Sequence, residues 1–411
     1  MAEFLNLLPP DEARRRWLSA FEHQTNAERI ATAQALHRVT AEAVLSPHAV
    51  PSFNRAEVDG YAVRASDTYA ASEGLPVYLR VIAEVPMGKA PLFHVLPGQA
   101  ALIHTGGMVP MGANAVVMLE YTQRISESEV EILRPVSVGE GLILAGEDME
   151  KGQVVVPAGM RLRASEIGAL MALGITEVRV ARKPLVGILS TGDEIVPPER
   201  NPEPGQVRDV NSYTIAAAVQ QFGGEPLRYG IVPDDLEALR RRLLDALEAC
   251  DMVVITAGSS ASTRDMTTEA INSLGAPGVL VHGVNTKPGR PTILGVVRGK
   301  PIAGLPGNPV SALINAWLFV KPALEQLQGL DHPRPAPLTR ARLRTNLASE
   351  AGREDWWPVR LHRVANEWEA EPLHYKSNLI FKLAEADGLL RVPAEATGLE
   401  AGAIAEVMVW E

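Results

Sequence analysis

Between residues 184 and 330 short apolar runs alternate with helical stretches, and few architectures accommodate that rhythm. The apolar runs are "PLVGILS", "EPLRYGIV", "DMVVITA", "GVLVHGV", "PTILGVV" and "PIAGLP". The helical stretches are "SYTIAAAVQQFG", "DDLEALRRRLLDALEA", "RDMTTEAINSL" and "PVSALINAWLFVKPALEQL". Strands this apolar, separated by helices, predict a doubly wound, largely parallel sheet covered by helices on both faces.

The flanking segments have a different texture. At 411 residues the chain is long enough for roughly two to four domains. Residues 1–50 read as two helices, "PDEARRRWLSAFEH" and "NAERIATAQALHRVTAEAV", the second capped by Asn26. Residues 51–145 carry short β-rich runs punctuated by Gly and Pro and read as a mostly β insert. Residues 146–183 mix strand and helix and are expected to return to the N-terminal helices as one elongated domain with 1–50. The α/β domain spans 184–330. After the proline-rich "DHPRPAP", residues 331–411 return to short strands, a β-barrel-like C-terminal domain.

Composition excludes several classes. Hydrophobic residues make up 46% of the chain, enough for packed cores. The formal net charge of -10 argues against a general binder of nucleic acid or anionic membrane. The single cysteine, Cys250, rules out an internal disulfide and a cysteine-built metal site. The N-terminus lacks a basic-then-apolar leader, and the apolar run at 301–320 is broken by three prolines, so no membrane span is expected. A cytoplasmic chain is the simplest reading.

Ligands of open parallel sheets bind beyond the carboxyl ends of the strands. The residues that follow each strand here are polar. "TGDEIV" supplies Asp193 and Glu194. "PDD" supplies Asp234 and Asp235, of which one serves equally well as a helix cap. "TAGSSASTRD" supplies Ser259, Ser260, Arg264 and Asp265, and "NTKPGRP" supplies Lys287 and Arg290. "LPGNPVSA" supplies Pro306, Gly307 and Asn308, and "GQVRDVNS" adds Asp209 and Asn211 at a helix start. Each motif alone is unspecific, since each also reads as an ordinary turn, cap or solvated charge. Together they predict one rim on which Glu194, Asp209, Asp234 and Asp265 offer oxygen ligands to a hard cation such as Mg2+. Lys287, Arg290 and helix N-termini would receive an anion there. Nucleotide-fold glycine fingerprints, phosphate-binding loops of the Walker type and zinc-protease or esterase motifs are absent from the sequence.

The ordered set of motifs resembles the molybdopterin molybdenumtransferases, the MoeA and gephyrin E-domain family. "FNRAEVDGYAVRASD" resembles a segment of that family normally ending Met-Asp-Gly-Tyr-Ala, with Val58 in place of Met and Asp59 at the functional aspartate. "ALIHTGGMVPMGANAVVMLE" is similar to a second such segment and places Thr105, while "AGEDMEKGQVVVPAG" places Asp148. "GILSTGDEIV", "KPGRP" and "LPGNPVSA" follow in the family's order. The resemblance implies a homodimeric, metal-dependent enzyme of molybdenum cofactor biosynthesis. Such an enzyme inserts molybdenum from molybdate into adenylylated molybdopterin and releases AMP. It implies catalytic roles for Asp59, Thr105, Asp148, Glu194 and Asp265; metal binding is expected of Glu194, Asp234 and Asp265, with Asp234 read from its place after a strand and Asp265 carried over from the resemblance. Arg353 in "GREDWWPVRL" and Ser377 in "KSNLIFKLAEADGLL" become candidate anion contacts. The molybdopterin-adenylylating enzyme becomes a candidate partner. The loop "TAGSSASTRD" departs from the family's glycine-rich form. That departure motivates an alternative, a non-catalytic carrier or scaffold that binds molybdopterin or its cofactor. A different phosphate-handling enzyme on the same α/β domain would leave Asp59 and Thr105 unexplained.

Overall fold

The structure, a computed structural model, describes residues 7–22, 26–257, 261–333 and 338–410, and for 261–264 the backbone alone. It divides into two compact units. One comprises Met1–Glu42, Ala158–Arg163 and Glu177–Glu411, the other Ala43–Pro157 and Ala164–Thr176. Among the described residues no helix is long and apolar enough to cross a membrane.

The larger unit is built on six strands: β1 (Leu185–Thr191), β2 (Glu225–Val232), β3 (Met252–Ala257), β4 (Pro277–His282), β5 (Ile293–Val297) and β6 (Lys300–Pro306). They lie in the order β2-β1-β3-β6-β5-β4. The neighbours β2, β1, β3 and β6 pair in parallel, and β5 runs antiparallel to both β6 and β4. The reversal has a local cause. Arg298 and Gly299 join β5 to β6 with φ of 53° and 76°, and two successive positive φ values make a tight hairpin.

Helices cover both faces, as the apolar strands require. Successive side chains of a strand point to opposite faces. Accordingly Met252 and Val254 of β3 join one core, and Val253, Ile255 and Ala257 the other. Helices α1 (Pro10–Leu18), α2 (Asn211–Gln221) and α5 (Pro309–Asn315) pack on the first face, around Trp17, Ile215, Val219 and Ile314. Helices α3 (Leu236–Ala249) and α4 (Ala261–Ser273) pack on the second, with Leu239, Leu243, Ala270 and Ile271. The Asp235 carboxylate accepts from the Ala238 N–H at 2.8 Å and caps α3, which settles the choice between the two aspartates and leaves Asp234 uncommitted as a cap.

The C-terminal segment closes into a barrel. Glu354–Val364, Glu367–Pro372, Leu338–Leu343, Ile404–Val409 and Gly388–Val392 follow one another, and the last pairs back with the first. Thr286–Lys287, from the loop after β4, adds to this sheet opposite Glu354 and Asp355. The smaller unit contains its own six-stranded sheet, ordered Ala115–Met118, Gly60–Val63, Gln99–Ile103, Val77–Glu84, Glu129–Ile132 and Thr122–Ser126. Only Val77–Glu84 and Gln99–Ile103 in it are parallel neighbours.

One expectation fails. Residues 26–44 do not form a second helix. Ala27–Ala31 is a strand paired antiparallel with Glu177–Ala181, and Thr32–Gln34 makes a single 3-10 turn. Asn26 therefore caps no helix; its carbonyl accepts from the Arg182 N–H at 2.7 Å. The alanine-rich stretch has good helix propensity, but propensity is a weak prior against a strand partner supplied 150 residues later. For the same reason the segment before residue 183 returns to an N-terminal strand rather than to helices.

Trp17 anchors α1 to the sheet: it is fully buried, its Nε1 donates to the Gly295 carbonyl at 2.8 Å, and its ring meets Phe21 edge-on at 5.8 Å. Trp17→Ala should cost about 3–5 kcal/mol. Chemical denaturation followed through the larger unit should show the midpoint shift, and Trp17→Phe should lose less because most of the volume is retained.

Candidate functional site

A cavity of about 620 Å³ opens beyond the carboxyl ends of β1, β3 and β6. Ser190, Thr191, Thr256 and Gly307 reach it from the strand ends, and Glu194, Asp209, Asn211 and Asn308 from the loops that follow. Asp209 is buried and fully engaged. Ser190 Oγ and the Ser212 N–H donate to its Oδ1 at 3.0 and 3.1 Å, and Ser212 Oγ donates to Oδ2 at 2.6 Å. Ser190 and Thr256 hydroxyls lie 3.2 Å apart and extend the network across two strands. Asn211 Nδ2 donates to the Gly307 carbonyl at 2.7 Å, tying α2 to the loop before α5.

The carboxylates Asp193, Glu194 and Asp234 crowd one edge. The Asp193 carboxylate accepts from the Asp234 N–H at 3.1 Å. Burial, then the charges of Asp193 and Glu194, push the Asp234 carboxyl above its ordinary value. Among the described residues no three acidic, imidazole or thiol side chains gather closely enough to hold a metal ion by themselves. Asp265 does not share the Glu194 cavity; it lines a separate hollow with Thr268, Glu269, Asn272 and His282. Ser259 and Ser260 lie outside the described residues, as does the side chain of Arg264.

A second cavity, about 690 Å³, carries the opposite charge. Lys287, Arg290, Arg353 and Lys376 line it, with Ser377, Pro306 and Asn308, so Asn308 belongs to both cavities. Asn308 Nδ2 donates to Ser377 Oγ at 2.9 Å. Two of the cations are positioned by a wholly buried carboxylate, Asp355, which meets Arg353 at 3.2 Å and Lys287 at 3.6 Å and accepts from Ser349 Oγ at 2.8 Å. The Lys287 ammonium also sits 5.7 Å from the Trp357 ring centre. Gly289 makes the turn between Lys287 and Arg290 at a φ of 109°, and a Cβ there would strike Asn315. Asn315 is itself buried in α5 and donates to the Pro288 carbonyl at 3.3 Å, fastening the loop to the helix.

In the smaller unit Asp59 and Thr105 are brought together. The Thr105 N–H and hydroxyl both donate to Asp59 Oδ1, at 2.6 and 2.9 Å. The backbone donor first, then the hydroxyl, holds the Asp59 carboxyl below its ordinary value. His104 Nδ1 stands 3.8 Å from Asp59, and its Nε2 lies 3.1 Å from Glu84. Asp148 is an exposed loop residue of the same unit, its N–H bound to the Val50 carbonyl at 3.1 Å.

Residues 8–174 match the MoeA N-terminal region (domain I and II), 187–326 the probable molybdopterin binding domain, and 340–410 the MoeA C-terminal region (domain IV). The chain is 32% identical over 426 residues to the molybdopterin molybdenumtransferase of Bacillus subtilis, covering all of this chain and 95% of the relative. It belongs to the MoeA family. The molybdopterin molybdenumtransferase of a Nostoc species is 36% identical over 371 residues, covering 89% of this chain and 84% of that one. A solved molybdopterin biosynthesis moeA protein of Pyrococcus horikoshii superposes with a TM-score of 0.86 at 32% identity, covering 98% of this chain and all of the other. A second structure from that organism gives 0.79 at 38% identity, covering 98% and 99%.

Sequence reasoning missed several residues that shape these cavities. Asp355 and Asn315 give no signal, because a buried carboxylate and a buried amide resemble surface residues until their partners are known. Trp357 and Tyr375 were legible only as aromatics, though their rings meet edge-on at 5.6 Å beside the cations. Thr191 opens "TGDEIV", where the acidic residues carry the stronger signal.

Two donors from one residue hold the Asp59 carboxyl down, so removing one should release part of the shift. Thr105→Val keeps the N–H and loses the hydroxyl. Carboxyl-carbon NMR titration of Asp59 should show its ionisation moving to higher pH in this variant. Since a depressed carboxyl stabilises the folded state only above its ionisation range, the difference between variant and parent should vanish as pH falls below that range.

Proposed function

We propose that this chain is a molybdopterin molybdenumtransferase that works in molybdenum cofactor biosynthesis. Its substrates are adenylylated molybdopterin and molybdate, and its products are the molybdenum-loaded pterin and AMP. The observation that carries this reading is the pair of cavities of opposite charge sharing Asn308. Molybdate and the phosphoanhydride are both anions, and Lys287, Arg290, Arg353 and Lys376 offer them a preorganised cationic wall. Pro306, Gly307 and Ser377 frame the same loop ends, and the dithiolene sulfurs belong to the substrate, so a chain with one cysteine suffices.

Mg2+ belongs to the same proposal. The donor set suits it: carboxylates crowded enough to raise Asp234 are relieved by a hard cation, and two of them leave positions for water and substrate oxygens. Glu194 and Asp234 would hold it, and Asp265 belongs in the proposal as a carboxylate at the start of α4. When bound, the ion offsets charge developing on the phosphoryl oxygens. This chain's own residues do the rest: cations orient the anions, Asp209 fixes the strand-end hydroxyls, and Asn308 ties the two cavities together. Asp59, Thr105, Asp148, Asn211, Ser259, Ser260 and Arg264 complete the proposed functional set. A homodimer, a cytoplasmic location, a four-part division of the chain and contact with the adenylylating enzyme are parts of the same reading.

Purified chain mixed with adenylylated molybdopterin, molybdate and Mg2+ should release AMP, measured by chromatography. Glu194→Gln, Lys287→Ala and Asp59→Ala should each lower the rate about 100-fold, and Asp265→Ala tests the one carboxylate set apart. Full activity in all four variants would overturn the assignment. Binding without AMP release under any divalent metal would favour a carrier.

A further inference from the structure

The sheet of the smaller unit brings three titratable side chains into one row. Asp59 stands immediately before Gly60–Val63, His104 immediately after Gln99–Ile103, and Glu84 ends Val77–Glu84. These three strands are neighbours, and their register fixes the row: Gly60 lies opposite Ile103, and Glu84 opposite Leu102. The turn after His104 is pinned as well. The Gly107 N–H donates to the His104 carbonyl at 2.8 Å, and the Gly106 N–H to the Ala56 carbonyl at 2.8 Å. Backbone pairing therefore sets the imidazole between two carboxylates, with Nδ1 3.8 Å from Asp59 Oδ1 and Nε2 3.1 Å from Glu84 Oε1.

The two oxygens of Asp59 differ. Oδ1 takes the Thr105 N–H and hydroxyl, and His104 approaches the same atom. Among the described residues no hydrogen bond reaches Oδ2. One oxygen is anchored and the other is on offer. The Thr105 donors depress the Asp59 carboxyl most, and the His104 charge adds to them. An ionised carboxylate only accepts, so Glu84 and Asp59 each ask for hydrogen on the ring nitrogen that faces them. The ring serves both only when both nitrogens carry hydrogen; a neutral ring turns a lone pair to one of the two anions. Exposed ion pairs add little to stability, so the row is poorly suited to be a staple of the fold. What it does change is the charge and the aim of Asp59.

We propose that His104 is a positioning residue for the reaction: anchored by Glu84, it joins Thr105 in holding Asp59 by Oδ1, leaves Oδ2 free, and offsets the negative charge that Asp59 presents to an anionic substrate. The inference rests on the transferase reading, in which Asp59 belongs to the functional set. Glu84 acts through the ring and has no separate role.

Two measurements on the full-length chain separate this role from the reading it rests on. The first needs no substrate. Imidazoles are charged throughout the range in which carboxylates ionise. His104→Ala and His104→Gln should each move the Asp59 ionisation, followed by carboxyl-carbon NMR, upward by roughly half to one pH unit. His104→Lys restores a cation and should bring it back toward the parent. The second is AMP release. His104→Ala should lower kcat about tenfold, and Glu84→Gln added to it should cost nothing more. In an Asp59→Asn background His104→Ala should likewise change nothing further, which a merely structural role would not give. Circular dichroism checks the fold of each variant, and His104→Gln keeps the test open should His104→Ala unfold. An Asp59 ionisation that stays in place in the folded variants, or a further tenfold loss in the Asp59→Asn background, would overturn the inference and keep the transferase. The NMR shift in a parent chain that releases no AMP rejects the transferase and keeps His104 as the residue that orients Asp59.

Discussion

The buried carboxylate of Asp355 is the contact that ties the C-terminal barrel to the cationic loop after β4. It sits on a barrel strand and meets Lys287 and Arg353, while the backbone of Thr286–Lys287 pairs with the same strand. A carboxylate removed from water is costly unless cations and hydrogen bonds surround it. Here Lys287, Arg353 and Ser349 supply both. The outcome is reciprocal. The anion is tolerated because the cations converge on it, and the cations converge because the anion holds them. Lys287, half-exposed, and Arg353, more buried, both line the cavity.

The same logic explains how a chain of net charge -10 presents a cavity lined by cations. Overall charge governs long-range behaviour, but within a cavity the nearest groups dominate, because screening reduces the influence of exposed charges beyond about 10 Å. The acidic residues near the sheet edge are confined by hydrogen bonds: Asp209 by two serines, Asp193 by the Asp234 N–H. The cationic residues come from a different loop and from the barrel. Opposite charges therefore occupy neighbouring hollows of one unit without neutralising each other.

How far this was readable from the sequence depended on the range of the interactions. The central strands β1, β3, β5 and β6 are legible because each is a near-continuous apolar run, and burial on both faces requires that pattern, whereas the edge strands β2 and β4 are partly exposed. The antiparallel β5 was not drawn from the pattern, although its Arg298-Gly299 turn lies in the sequence; two positive φ values are a backbone fact that composition does not record. Residues 26–44 read as helix from sequence because the partner of their strand Ala27–Ala31, Glu177–Ala181, is remote. The strand-end rule located Glu194, Asp209, Asn211 and Asn308 in one cavity lining. It could not separate Asp265 from them, because consecutive strand ends spread along a rim and a rim can hold more than one hollow.

Asn308 shows why the rim is subdivided. Its side chain bridges to Ser377 of the barrel segment, and the preceding Gly307 carbonyl is held by Asn211 of α2. One short loop thus fastens three parts of the fold at the point where the two cavities meet. A neutral amide suits that position. A carboxylate there would repel an oxyanion, and a cation would be drawn toward Glu194 and away from Ser377. An uncharged residue placed between an acidic hollow and a basic one adds no charge that would draw either set across to the other.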